Sequence, residues 1–451
     1  MATLRSELMT VLRLSLPVSL TQVGLMLTGV LDTAMVGRLG VEELAACALG
    51  NMWWWSWMSL GVGLVMGIDP LISQAHGRGD GAAVALSLQR GSVLALIVSV
   101  PIVGLMFATE AGLRLLGQNA HVAALAQRYN DLKLLTVPCF LLYSALRQYL
   151  QGRTLMAPAT WVMWIGNVFH LALNWALIFG HLGFAAHGLS GAAIASSITT
   201  VLQLLGLIAW TWGFGLQRGA WRAWDAESFS PRGLWQAARL GLPVGTQVAL
   251  EVWAFSIATL MAGWLGTPEV ASHQVVLSLA SLTFMVPLGV SQGASTRVGN
   301  LIGEGDAEGM RRAAKASLCI GALAMSLSAS LFALLRQELP RIYTDDAAIL
   351  ALAAQLLPIA AAFQLSDGTQ VVAGGVLRGM GRPAAAAGAN LVGYYAVGLP
   401  LAYLLGFRLG GGLLGVWVAL AIGLSVVAGL LLYWVRRTGR RPLSELSVSV
   451  E

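Results

Sequence analysis

Twelve long apolar runs decide what this 451-residue chain can become. They fall at roughly residues 12–36, 44–69, 90–109, 132–152, 160–180 and 191–214, then 236–263, 271–295, 313–336, 349–376, 386–407 and 413–435. Each is close to the roughly 20 residues a helix needs to cross a bilayer. All are too long and continuous for the alternating strands of a membrane barrel, which run to about 10 residues. Charge is correspondingly scarce: 11% of residues are charged and 57% hydrophobic, with a mean hydropathy of +0.73, where a soluble globular chain is about 25% charged. That balance excludes an ordinary soluble enzyme. It equally excludes a disordered chain, which needs low hydrophobicity and high charge. The first run exceeds a signal h-region and lacks a small-residue cleavage site, so it reads as a span. The expected class is an all-α membrane protein with twelve transmembrane helices.

The net charge of +6 and a pI near 9.5 do not point to nucleic acid. Basic residues recur singly between the apolar runs instead of gathering with aromatics. With a cytoplasmic N-terminus, only Arg38, Arg114, Arg128, Lys133, Arg336, Arg341 and Arg408 of the 27 basic residues fall on the far side. The positive-inside rule therefore puts both termini in the cytoplasm. Cys47, Cys139 and Cys319 lie far apart within apolar runs, a pattern that suits neither a disulfide framework nor a zinc site. No P-loop, G-x-S-x-G elbow or H-E-x-x-H motif is present, so the chain is not expected to be an enzyme or to carry a cofactor.

A shift of 226 positions lays Arg13-Leu14-Ser15-Leu16-Pro17-Val18 over Arg239-Leu240-Gly241-Leu242-Pro243-Val244 without a gap. The same register pairs Leu39-Gly40 with Leu265-Gly266, Glu43 with Glu269, and Gly77-x-Gly79-Asp80 with Gly303-x-Gly305-Asp306. With small gaps, Asn167 meets Asn390. The expected organisation is an N-lobe at 1–214, a cytoplasmic linker at 215–235, a C-lobe at 236–435 and a cytoplasmic tail at 436–451. Six spans per half make these parallel repeats, two pseudo-symmetric six-helix bundles around a central cavity. Transporters that rock about a site between lobes are often built this way. Pro17 and Pro243 recur near the starts of the first and seventh spans and predict paired bends.

A charge at a span centre costs about 2.5–3.5 kcal/mol on insertion scales, so Asp32, Glu251 and Asp367 are the most informative residues in the chain. No basic residue accompanies them at comparable depth in the sequence. Such carboxylates either hold a proton or bind a metal cation, and either state couples ion flux to transport. Asp32 aligns with Ala258 and Glu251 with Leu25, so each half places its acid independently, seven positions apart in repeat register. Asp69, beside Pro70, reads as a helix-end residue. His170 and His273 read as packing residues first, with a coupling role as the alternative. Gln274 and Asn174 are either interhelical glue or cavity lining. In Asn51-Met52-Trp53-Trp54-Trp55-Ser56-Trp57, clustered Trp suggests an interfacial belt. Rings such as Trp53 would alternatively offer cation–π attraction to a cationic substrate.

Leu31-Asp32-Thr33-Ala34-Met35-Val36-Gly37, Leu250-Glu251-Val252, Ser272-His273-Gln274-Val275 with Arg297-Val298-Gly299, and Asp367-Gly368-Thr369-Gln370-Val371-Val372 leading to Leu377-Arg378-Gly379 resemble the multidrug and toxic compound extrusion (MATE) family. The acidic pair in the seventh and tenth spans is similar to the NorM-type branch, not the DinF-type branch. The resemblance implies an antiporter that exports organic cations or drugs in exchange for H+ or Na+. It implies cation coupling at Asp32, Glu251 and Asp367, with Na+ as one candidate ligand of Glu251 and Asp367. Substrate-cavity candidates are Asn174, Gln274, His273 and Trp53. Phe363 stands where several family members carry a Tyr, which removes one oxygen and tilts the expectation towards H+. The implied setting is the bacterial cytoplasmic membrane, with small-molecule substrates, the lipid bilayer as partner, no nucleic acid and a monomer sufficing. The alternative is a flippase for a lipid-linked oligosaccharide or other amphipathic lipid, disfavoured because the intramembrane charges are acidic and not cationic.

Overall fold

The computed structural model describes residues 4–448. Twelve principal helices follow one another: α1 Leu4–Val36, α2 Val41–Gly77, α3 Gly81–Met106, α4 Thr136–Gly152, α5 Ala157–Phe179, α6 Leu189–Gly213, α7 Pro231–Leu265, α8 Thr267–Glu304, α9 Ala307–Leu334, α10 Ala347–Gly379, α11 Ala384–Arg408 and α12 Gly412–Thr438. Eleven of them are long and apolar enough to cross a membrane, among the described residues. The exception is α4, at 17 residues. The expected span at 132–152 loses its first turn because residues 132–135 form a turn instead, and the helix buries Tyr143, Arg147, Gln148, Tyr149 and Gln151. Two short helices, Thr109–Leu115 and Ala120–Asp131, precede it.

Aspartate caps start three of these helices, α3, α9 and α10. Asp80 Oδ1 accepts the Ala83 amide at 2.9 Å at the start of α3, and Asp306 Oδ1 accepts the Gly309 amide at 2.7 Å at the start of α9. Each cap supplies an acceptor for an amide with no intrahelical partner. Gly79 and Gly305, at φ 74° and 80°, make the left-handed turn just before that a residue with a Cβ adopts only at a cost. The repeated Gly-Asp motif is therefore a helix stop followed by a helix start.

The chain forms two compact units whose borders differ from the expected lobes. One comprises residues 4–22 and 246–448, the other residues 23–245. In this division residues 4–22 group with the later helices, and residues 231–245 of α7 group with the earlier ones. The borders fall within α1 and α7, a few residues after Pro17 and Pro243, while both helices run on through their prolines. Close backbone packing explains the exchange. In the unit of residues 23–245, a methyl added at Gly63 or Gly67 of α2 would land on the backbone of Gly245 or Gly241 of α7. In the other unit, a methyl at Gly289 or Gly293 of α8 would land on Ser19 or Ser15 of α1. These are the same positions under the 226-residue shift. Small residues let helices approach closely enough for dispersion to hold them where hydrophobicity gives no drive.

Ion pairs differentiate the two. Arg297 of α8 grips Glu7 of α1 through Nε and Nη2 at 3.0 and 2.7 Å, with Glu7 only 2% exposed. In the other unit the predicted linker is tied to α3. Gln89 Nε2 donates to the Arg222 carbonyl at 2.9 Å, and Ser228 Oγ donates to Gln89 Oε1 at 2.7 Å. Arg222 pairs with Asp225 and Glu227 and holds the Asp225 carboxyl below the usual carboxylate range.

Candidate functional site

Two polar clusters lie inside the helices, one in each unit. In the unit holding the C-terminal helices, α7 contributes Glu251, and α10 contributes Asp367 and Gln370, three residues apart and so neighbours on one helix face. The Gln370 amide donates to Glu251 Oε1 at 3.2 Å and lies 3.5 Å from Asp367 Oδ1. Gln370 Oε1 and the Tyr394 hydroxyl are buried with no hydrogen-bond partner among the described residues. Tyr394 lies close enough to Glu251 and Asp367 to feel both charges. It sits where α11 widens into π-type winding over Leu391–Gly398, a distortion common at functional sites. Asn390 and Tyr395 tie this stretch to α7 through the Gln247 and Leu250 carbonyls, at 3.3 and 3.0 Å. Neither carboxylate forms an ion pair among the described residues.

Phe363 packs edge-on against Phe255 and Trp417, at centroid distances of 6.0 and 5.8 Å. Trp417 in turn donates its indole N–H to His273 Nδ1 at 3.1 Å, and His273 Nε2 lies 3.0 Å from Thr259 Oγ1. An indole nitrogen only donates, so His273 Nδ1 is the acceptor and the proton of the neutral ring sits on Nε2. The Thr259 hydroxyl then passes its own proton to the Phe255 carbonyl at 3.0 Å. His273 is fully buried in this chain of donors. Gln274, the next residue, is exposed. The structure therefore does not bring His273 and Gln274 onto one surface.

In the other unit Asp32 is not alone, contrary to the sequence expectation. His170 Nε2 lies 2.7 Å from Asp32 Oδ1, the Asn174 amide donates to the same oxygen at 2.7 Å, and Ser196 Oγ donates to Oδ2 at 3.2 Å. His170 Nδ1 meets Thr199 Oγ1 at 3.2 Å. The sequence did not reveal this pairing of His170 because its partner is 138 residues away. The usable signals were local: His170 and Asn174 stand four apart on α5, and Ser196 and Thr199 three apart on α6, so each pair shares a face. Asn174, a cavity candidate from sequence, is fully buried and joins the Asp32 cluster.

Trp53 donates its indole N–H to the Leu105 carbonyl at 2.9 Å and packs edge-on against Trp57 at 5.8 Å. A cation does lie over the tryptophan-rich run, but it belongs to the chain. Lys133 Nζ sits 5.1 Å from the Trp54 ring centroid and 4.7 Å from that of Tyr129, and donates to Asn51 Oδ1 at 2.7 Å. Lys133, read from the sequence only as a basic residue of the far side, is 6% exposed. Trp55 is outward-facing, as in a belt. Asp69 is buried in the first turn after the bend of α2.

Comparison with known proteins extends over nearly the whole chain. The MatE family model matches residues 17–176 and again residues 243–404, and the two matches start one repeat length apart. The multidrug resistance protein NorM of Vibrio vulnificus is 32% identical, with 96% of each chain covered. The probable multidrug resistance protein NorM of Bradyrhizobium diazoefficiens is 34% identical over 97% of this chain and 95% of its own. A eukaryotic MATE transporter has the same fold, with a TM-score of 0.91, 23% identity and coverage of 98% and 100%. A Vibrio cholerae MATE transporter in its bent form gives 0.83, 19%, 97% and 98%. The twelve-helix, duplicated architecture is that of these proteins, and the chain belongs to the MATE family of membrane transporters, in its NorM-type branch.

Proposed function

We propose that this protein is an antiporter of the bacterial cytoplasmic membrane, both termini inside, that exports organic cations, drugs or toxic compounds by alternating access in exchange for H+ or Na+. The observation that carries the reading is the Glu251–Gln370–Asp367 cluster. Two carboxylates bridged by one amide, with no ion pair of their own among the described residues, call for positive charge from outside. The NorM names of the relatives support the export of drugs. The residues also suit a hard cation as the transported ion. Two carboxylates stand with the unengaged Gln370 Oε1 and Tyr394 hydroxyl, an all-oxygen set of the kind hard cations prefer.

Ion binding at Glu251 and Asp367, or protonation of Asp32, favours a state with lower affinity for the exported cation. Reciprocally, that cation weakens ion binding by the same factor. Asn174, Gln274, His273 and Trp53 are the substrate-side candidates, and of these Gln274 is the one that is openly exposed.

The test is efflux of ethidium from proteoliposomes under a proton gradient alone and a sodium gradient alone, with Glu251→Gln beside the wild type. Efflux driven by one gradient and lost in the variant is the expected result and names the ion. Full efflux in Glu251→Gln overturns the assignment of the acid, and no response to either gradient overturns antiport itself.

A further inference from the structure

We infer that His170 is a proton-carrying residue, and that the Asp32–His170 pair takes up and releases its exchangeable proton at His170 Nδ1 against Thr199. The inference rests on the antiport reading and deepens it: it assigns the coupling ion of this unit as a proton and names the atom that carries it.

The argument is one of donors and acceptors. At 2.7 Å, Nε2 and Oδ1 cannot face each other as two lone pairs, so one proton lies between them in every state. The Asn174 amide, donating to the same Oδ1, and the Ser196 hydroxyl, donating to Oδ2, bring the occupied acceptor sites of the carboxylate to three of about four. Three donors converge on Asp32. A metal ion would find donors facing it and one carboxylate site left, whereas a proton at His170 Nδ1 needs none of the carboxylate.

The other ring nitrogen is the variable one. Nδ1 faces a hydroxyl, which both donates and accepts. With Nδ1 bare, Thr199 donates to it. With Nδ1 protonated, Thr199 accepts, and its own proton turns to the carbonyl four residues back, as the Ser197 and Thr200 hydroxyls already do on α6 at 3.0 and 2.9 Å. Both states thus leave each ring nitrogen hydrogen-bonded, which removes the desolvation cost of an orphaned group from the step. His273 is the internal contrast: Trp417 presents an N–H to its Nδ1 and leaves no room for a second proton.

The charged and titratable groups around the pair are few. Asp32 comes from α1. Lys133, Cys47 and Tyr129, from the segment before α4, from α2 and from the short helix Ala120–Asp131, lie within range of the Asp32 charge. Asn174, Ser196 and Thr199 complete the shell without titrating.

The test is NMR of the purified full chain carrying histidine labelled with 13C at Cε1, titrated between about pH 5 and 9, a range that brackets imidazole titration. The resonance absent from His170→Asn is expected to move between two plateaus, and saturating ethidium at fixed pH to shift it towards the neutral position. If His170→Asn does not fold, Thr199→Val identifies the resonance, because it alters the partner of Nδ1 and leaves Asp32 paired. A resonance that holds one position across the range overturns the inference. Binding is the second arm. Ethidium affinity in detergent is expected to fall about tenfold per pH unit on acidification where one proton is displaced, and less than about twofold in His170→Asn. An unchanged pH slope in that variant overturns the inference while leaving antiport standing. If the wild type transports nothing but the resonance moves, the antiport reading fails and the proton site stands.

Discussion

The two halves of this protein are the same in packing and different in chemistry. Under one shift of 226 residues, Asp80 and Asp306 cap helices, Gly79 and Gly305 turn the chain before them, and Gly63 and Gly289 receive the start of the other half's first helix. Asn167 and Asn390 each donate to a backbone carbonyl on the first helix of their half, Gly24 at 2.8 Å and Gln247 at 3.3 Å. The acids break the pattern. Asp32 stands with an imidazole and two further donors, whereas Glu251 and Asp367 share one amide and no base. Duplication preserved what holds helices together, and the halves diverged in what they hold. The first way to break the comparison is through packing. Gly63→Ile and Gly289→Ile should be equally destructive, each driving a branched side chain into backbone, beyond the 1–3 kcal/mol typical of core overpacking. Neither should give a monodisperse peak on size exclusion. A folded Gly289→Ile beside an unfolded Gly63→Ile would show that the halves do not share this joint.

Ion pairing separates the halves next. Glu7 is buried against Arg297, but the positions one repeat away are Leu71 and Gly233, and Gly233 abuts the Arg90 guanidinium instead. Removing one partner of a buried pair typically costs about 3–5 kcal/mol because the other charge is stranded. Arg297→Met, which strands the 2%-exposed Glu7, should therefore lower the thermal midpoint more than Glu7→Gln, which leaves Arg297 partly exposed and near Glu304 at 3.8 Å. Equal losses would mean the pair contributes through shape alone. For the chemistry, Asp367→Asn should cut gradient-driven efflux by about a hundredfold, within the usual span of coupling factors. Combined with Asp32→Asn, the two losses should add in free energy, as for sites with no shared partners. A strongly non-additive double variant would show that the two clusters work as one.

Much of this was legible in the sequence because membranes reward local patterns. Span number, the repeat and the three acids each follow from runs or single residues that need no partner to be recognised. The exchanged helix starts were hidden although their glycines were visible, because Gly63 and Gly245 lie 182 positions apart and small residues carry no label for what they pack against. Pairing hid His170 in the same way, and the burial of Lys133 was hidden because a charge next to a loop looks solvated until Trp54, Tyr129 and Asn51 close around it. α4 escaped the simple length rule because burial inside its unit, not contact with lipid, accounts for its polar side chains.

The smallest expected effect concerns the ring that replaces an oxygen. Phe363 lies four residues before Asp367 on α10, one helical turn away and on the same face, 2% exposed and packed against Phe255 and Trp417. Phe363→Tyr adds one hydroxyl to a cluster whose Gln370 Oε1 and Tyr394 hydroxyl are already without partners. If these oxygens ligate a transported metal ion, one further ligand should raise the apparent Na+ affinity of ethidium efflux by about threefold to tenfold, the equivalent of one modest hydrogen-bond-scale interaction. Proton-driven efflux should change less than about twofold, because a proton needs only one basic oxygen. The Asp32 cluster, with its donors engaged, should show no comparable Na+ response to Ser196→Thr, which keeps a hydroxyl beside Asp32 Oδ2. A sodium response that is equal in both variants would place the selectivity outside these clusters and erase the chemical difference between the halves.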